Sequence, residues 1–133
     1  MKKFFLIIAI LIITYISWLF YTEEKRLVQN ILKLDSLPSS VLNIECQSVG
    51  LTDVMTTCSF IVDSSEFKML LNGWNFKQED IEGSAYNRYA KLGRDFLIDK
   101  AYVISPKEFK HGGSVSLVVD RDRKHVMVEL YIE

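Results

Sequence analysis

The chain reads as an α+β protein: an N-terminal transmembrane helix with an amphipathic extension, then a small, mostly antiparallel β-sheet of about five strands with one short packed helix. Three observations carry that expectation. An uncharged apolar run opens the sequence, apolar residues at three- and four-residue spacing follow it, and beyond residue 40 short alternating segments lie between turn-forming residues.

The run Phe4–Tyr21 contains no charged residue. Eighteen helical residues at about 1.5 Å each span about 27 Å, close to the ~30 Å hydrocarbon core of a bilayer. A core helix seldom stays uncharged that long, because one of its faces meets water. A cleaved signal peptide is the competing reading. Cleavage needs small residues one and three places before the cut, whereas Tyr15-Ile16-Ser17 and Leu19-Phe20-Tyr21 offer bulky ones. No cysteine closes the run to signal lipidation. Tyr15, Trp18 and Tyr21 instead fit an aromatic belt at the headgroups. Residues 1–21 are therefore expected to be an uncleaved signal anchor, with residues 4–21 in the membrane.

Lys2 and Lys3 stand unopposed before the run, while Glu23, Glu24, Lys25 and Arg26 after it cancel. The positive-inside rule then places the N-terminus in the cytoplasm and residues 22–133 outside it. In a bacterium this is a single-pass inner-membrane protein with its domain in the periplasm or at the cell surface. That compartment is oxidising and permits disulfides.

Residues 22–37 read as a juxtamembrane amphipathic helix and linker, with Leu27, Val28, Ile31, Leu32 and Leu34 on one side and Asp35-Ser36-Leu37-Pro38 ending it. The stretch is under two heptads, too short for a coiled coil, so docking on the domain's own core is expected.

Residues 38–133 form the domain. Leu42, Ile44 and Cys46 share one face of an alternating segment, and Cys58, Phe60 and Val62 share one face of another, with Gly50-Leu51-Thr52-Asp53 between them. A hairpin centred on Thr52 pairs Cys46 with Cys58, Ile44 with Phe60 and Leu42 with Val62, so the register that matches the apolar faces also joins the sulfurs. Asp63-Ser64-Ser65-Glu66 has capping-box spacing before a short helix carrying Phe67, Leu70, Leu71 and Trp74, which Asn72-Gly73 ends. Asn75–Arg94 reads as a polar surface connection with a helical turn near Gln78–Ile81. Strands are expected over Phe96–Ile104, Val115–Val119 and Val126–Ile132, the last two around the charged turn Asp120–Lys124.

The charge balance excludes one class of function. The chain has 16 Lys+Arg and 17 Asp+Glu; without Lys2 and Lys3 the remainder carries 14 against 17, a net of −3 with no basic concentration of the kind a nucleic-acid partner needs. Zinc ligands usually sit two to four residues apart, unlike Cys46 and Cys58, and the two histidines, His111 and His125, lie far from both cysteines. A redox-active C-x-x-C is also missing. A structural Cys46–Cys58 disulfide is the remaining reading, and no metal or cofactor is implied.

Catalytic signatures such as G-x-S-x-G and S-x-x-K are absent from the sequence. Glu79, Asp80 and Glu82 lack the alternating ligand pattern of a calcium loop. His111 or His125 with a nearby carboxylate is the one route to hydrolysis. Aromatic and arginine side chains favour interfaces, which singles out Trp74, Tyr86, Arg88 and Tyr89 as a possible interaction surface, with core packing the alternative for Trp74. The sequence thus predicts a membrane-anchored, non-catalytic protein-binding module of the cell envelope, an accessory or immunity-type protein. A small envelope hydrolase is the rival.

Overall fold

One continuous helix, α1 (Lys2–Leu32), runs from the apolar segment straight into the domain. The computed structural model describes residues 2–79, 81, 92, 93 and 95–133, with side chains from residue 5 onward. The side chains of residues 5–21 are exposed, and this helix is long and apolar enough to cross a membrane. Its last turns behave differently: Val28, Ile31 and Leu32 are buried in the main core. Full burial of each such side chain contributes about 2 kcal/mol, enough to fix the helix on the sheet.

The helix ends at Leu32, six residues before Pro38 and earlier than the sequence implies. Lys33 adopts φ 55°, the Lys33 N–H donates to the Asn30 carbonyl at 3.2 Å, and the Leu34 N–H donates to the Gln29 carbonyl at 3.0 Å. This is a Schellman closure with lysine where glycine is usual. Leu34 and Leu37 then pack at the margin of the core as the chain turns back along the helix.

Six antiparallel strands follow: β1 (Leu42–Val49), β2 (Val54–Ile61), β3 (Lys77–Glu79), β4 (Lys100–Ile104), β5 (Gly113–Val119) and β6 (His125–Ile132). Their spatial order is β1-β2-β6-β5-β4-β3, leaving β1 and β3 as the edges. The sheet carries one more strand than expected, because Lys77–Glu79 pairs with Ala101–Val103 where a helical turn was anticipated. The fourth strand also starts later than expected. Phe96 and Ile98 instead bury with Ala101 and Val118 in a second, smaller core on the sheet face opposite α1.

The predicted hairpin forms, and Cys46 pairs with Cys58 at the expected register. The cysteines are disulfide-bonded, with Cα atoms 4.1 Å apart. Gly50, at φ 146°, permits the turn, since a Cβ there would lie 1.8 Å from the Asp53 carbonyl oxygen. Leu42 corrects the expected register. A bulge between Leu42 and Glu45 places Leu42 opposite Ile61 rather than Val62, with Asn43 at φ 54°. The extra residue turns Leu42 outward, 56% exposed, and Val41 takes the buried place.

The short helix is 3-10, Phe67–Leu71, and its capping box does not close. Ser39 and Ser40 have captured Glu66 instead: the Ser40 hydroxyl donates to Oε2 at 2.6 Å and the Ser40 N–H at 3.0 Å, while the Ser39 hydroxyl donates to Oε1 at 3.3 Å. The Ser40 hydroxyl and then its N–H hold the Glu66 carboxyl below its ordinary pKa. Gly73 serves as a point of contact. A Cβ there would sit 1.9 Å from the Leu32 carbonyl oxygen, so only glycine lets this segment touch the end of α1.

Candidate functional site

Register and packing distinguish the two ends of the sheet. At one end the Tyr21 hydroxyl donates to the Val41 carbonyl at 3.4 Å, and the neighbouring positions across the sheet are Leu42, Ile61 and His125. At the other end the Trp74 indole N–H donates to the Ile31 carbonyl at 2.8 Å, and Trp74 meets Phe109 edge-on with ring centroids 6.4 Å apart. Phe109 abuts Gly113, which pairs with Ile132, which pairs in turn with Val54. The strands therefore run broadly along α1, and the β1–β2 turn lies at the Ile31 end. Ten helical residues separate Tyr21 from Ile31, about 15 Å along the axis.

That end carries an apolar tip. Leu51 is fully exposed, Val49 is 61% exposed, and Val54 and Met55 are more than two-fifths exposed. Asp53, the acidic residue of the turn, lies close enough to the Tyr131 hydroxyl for its charge to act on it. Burial, followed by the Asp53 and Glu133 charges, raises the Tyr131 pKa. The tip is braced from behind by the disulfide and by the contact between the Ser48 and Thr56 hydroxyls at 3.0 Å.

The Tyr21 end carries polar chemistry on the face opposite α1. A cavity of about 380 Å³ is lined by Asn43, Glu45, Ser59, Ile61, Gly93 and His125, among others. A tight turn brings Asp120 to His125: Oδ2 lies 2.7 Å from Nδ1, and Oδ1 accepts the N–H groups of Lys124 at 2.8 Å and His125 at 3.2 Å. Burial opposes the charged form of Asp120, but the His125 and backbone hydrogen bonds outweigh it and lower the pKa. The His125 ring also stacks on Phe96 at 5.8 Å, so carboxylate and aromatic together fix its orientation. Ser59 is buried and pairs with Met127, one diagonal from His125 on the same face.

Between the two ends, Ser116, Glu129, Thr57 and Gln47 form a polar row across four strands of that face. Burial raises the pKa of Glu129 in the middle of the row.

The residues selected from sequence are scattered. Cys46 and Cys58 are joined. Trp74 is half-buried, caps α1 through its indole N–H, and lies under Lys33 Nζ at 4.5 Å from its ring centre. Lys33 in turn pairs with Glu108 at 3.2 Å. Tyr86, Arg88 and Tyr89 lie outside the described residues, as do Asp80 and Glu82. His111 is exposed in the loop before β5. Among the described residues, no group of three or more His, Cys, Asp or Glu side chains is placed to hold a metal.

Sequence reasoning missed the Asp120–His125 pair, although an acid and a histidine flanking a short charged turn are its signature. It also missed the exposure of Leu51, which a turn assignment alone implies. Glu129 gave a weaker signal: a lone charge inside an otherwise apolar strand. Comparison with family models, with curated proteins and with solved structures returns no match.

Proposed function

We propose that this chain is a single-pass membrane protein whose α+β domain stands outside the cytoplasm and acts by binding another protein. Residues 1–21 are then an uncleaved signal anchor with its N-terminus in the cytoplasm. In a bacterium the domain occupies the periplasm or cell surface, as an envelope accessory or an immunity-type protein. The disulfide supports the compartment, because such bonds persist where conditions are oxidising.

The observation that carries the binding role is the apolar tip of Val49, Leu51, Val54 and Met55. It stands at the end of the sheet away from Tyr21, so on this reading it cannot be spent on the bilayer. Exposed apolar clusters on a rigid support favour protein contact. The test places a photo-crosslinking residue at Leu51 of the full-length protein in its own membrane. A defined protein adduct, lost when Val49 and Val54 become aspartate, is the expected result. If irradiation yields no adduct from a folded, disulfide-bonded protein, the tip is not the binding surface.

A second reading has one specific observation behind it. The Asp120–His125 pair borders a cavity that also presents Ser59 and Glu45, which is the raw material of a small hydrolase. A histidine held by a carboxylate through Nδ1 keeps Nε2 available to take a proton from a nucleophile. Among the described residues His111 has no such partner. Loss of the biological effect in a folded His125→Ala protein, with the tip variants still active, would favour catalysis over binding.

A further inference from the structure

We infer that the outer edge of β1, from Glu45 to Val49, receives an antiparallel strand from another protein of the same compartment. This rests on the reading above that the domain binds a protein, and names how the partner is held.

The backbone supplies the first reason. Cys46 and Cys58 are opposite each other with Cα atoms 4.1 Å apart. That is the narrow, non-hydrogen-bonded spacing of an antiparallel ladder, about 4.5 Å against about 5.5 Å for the wide pair. Residues at a narrow pair turn their N–H and C=O groups away from each other. The N–H and C=O of Cys46 therefore point out of the sheet, as do those of Ser48 two residues on. Among the described residues, no backbone group outside the β1–β2 ladder reaches them.

The strand's own sequence also lacks a guard. The segment LNIECQSV contains neither proline nor lysine, the usual devices that keep an open strand from pairing. The bulge at Asn43 twists only its first residues out of use, leaving five regular residues, about 16 Å of template. The opposite edge differs: β3 is three residues long and carries Lys77 and Glu79.

The anchor decides against a second copy as the occupant. Two identical β1 edges pair antiparallel about a two-fold axis perpendicular to the sheet, which reverses strand direction. Here strand direction is coupled to α1, since Val41 lies beside Tyr21 and the far end of the sheet lies beside Ile31. Such a dimer would point its two anchors in opposite directions, and both cannot enter one membrane.

A strand from a different chain has no such restriction. Glu45 is the single charge on β1 and is exposed, so it favours a basic side chain on the incoming strand. Val49 and the adjoining tip favour an apolar side chain at the other end of the same segment.

The test uses the full-length protein in its own membrane, with a photo-crosslinking residue at Gln47 in one sample and at Leu51 in another, and maps the adducts by mass spectrometry. Expected is a Gln47 adduct to one extended segment of another protein, with a basic residue placed against Glu45 and an apolar one against Val49. Ser48→Pro removes an outward N–H and no backbone bond of the β1–β2 ladder, and Ser48→Ala, which removes only the hydroxyl contact with Thr56, is its control. The proline variant should reduce the Gln47 adduct about tenfold, the effect of one lost backbone hydrogen bond, with the disulfide still formed. Glu45→Lys serves as the second variant, also lowering the yield, should Ser48→Pro fold poorly. An adduct between two copies, or a yield unchanged in the folded variants, overturns the inference. A Leu51 adduct with none at Gln47 overturns the edge while leaving the binding role intact. No adduct at either position removes both.

Discussion

Reducing the Cys46–Cys58 bond without changing a side chain isolates its contribution to stability. The bond joins residues 12 apart in sequence. In the chain-entropy treatment, closing a loop of about that length in the unfolded chain costs close to 9.5 cal/mol/K, or about 3 kcal/mol at room temperature. Net stabilities of about 5–15 kcal/mol are usual, so the bond is a substantial share of the total. For a domain of roughly a hundred residues this corresponds to a fall in Tm of about 15 °C. In urea, with a slope of about 1.5 kcal/mol/M, the midpoint should fall by about 2 M. The measurement is paired denaturation of the full-length protein in micelles, oxidised and reduced, followed by tryptophan fluorescence. Trp74 reports the domain because its indole is bonded to Ile31 in the folded state. A midpoint shift below about 0.5 M would refute the loop-closure reasoning. It would mean that the reduced, unfolded chain still holds the 46–58 hairpin together.

Trp74→Phe keeps the ring but removes the N–H that satisfies the Ile31 carbonyl; a loss of about 1–2 kcal/mol is expected by thermal denaturation. Gly73→Ala drives a methyl against the Leu32 carbonyl oxygen and should cost about 2 kcal/mol, detaching the end of α1 before the sheet melts, as hydrogen exchange at Ile31 and Leu32 would show. Burial raises the folded pKa of Glu129, so its contribution is fully present below the unfolded value near 4.5 and is lost as pH rises through the folded pKa. Glu129→Gln should therefore raise the unfolding midpoint at pH 7 and leave it nearly unchanged at pH 4. The lowered pKa values of Glu66 and Asp120 act oppositely: their stabilisation is present above the unfolded values, near 4.5 and 3.8, and disappears as pH falls through the folded ones. Asp120→Asn should flatten part of that acid limb in a pH titration of the midpoint.

The hairpin, its register and its disulfide were legible because period-two alternation and the cysteine positions imposed the same pairing. The long helix was legible from composition. Local signals failed where a distant residue competed for the same group. Glu66 had the spacing to cap its own helix, but Ser39 and Ser40 offered three hydrogen bonds from another part of the chain. Gly73 resembled a helix stop, whereas its role is set by contact with the end of α1, forty residues earlier in the chain. Leu42 matched the alternation and still faces out, because one extra residue in an edge strand changes face without changing composition. At the candidate site, the tip and β1 edge could be inferred from turn residues and strand content. Which end of the sheet they occupy could not, since that depends on Tyr21 meeting Val41 and Trp74 meeting Ile31.

The unbroken passage of α1 from the apolar segment into the core leaves no swivel between them. With Lys33 closing the helix and Trp74 and Gly73 clasping its end, the domain is mounted like a blade on a fixed shaft. A flexible leash lets a module sweep a hemisphere, whereas a rigid stalk confines it to a thin layer parallel to the bilayer. The hairpin tip would then work at one altitude, and its partner must present itself there. Placing a few glycines between Thr22 and Glu24 would loosen that constraint while preserving every contact within the domain.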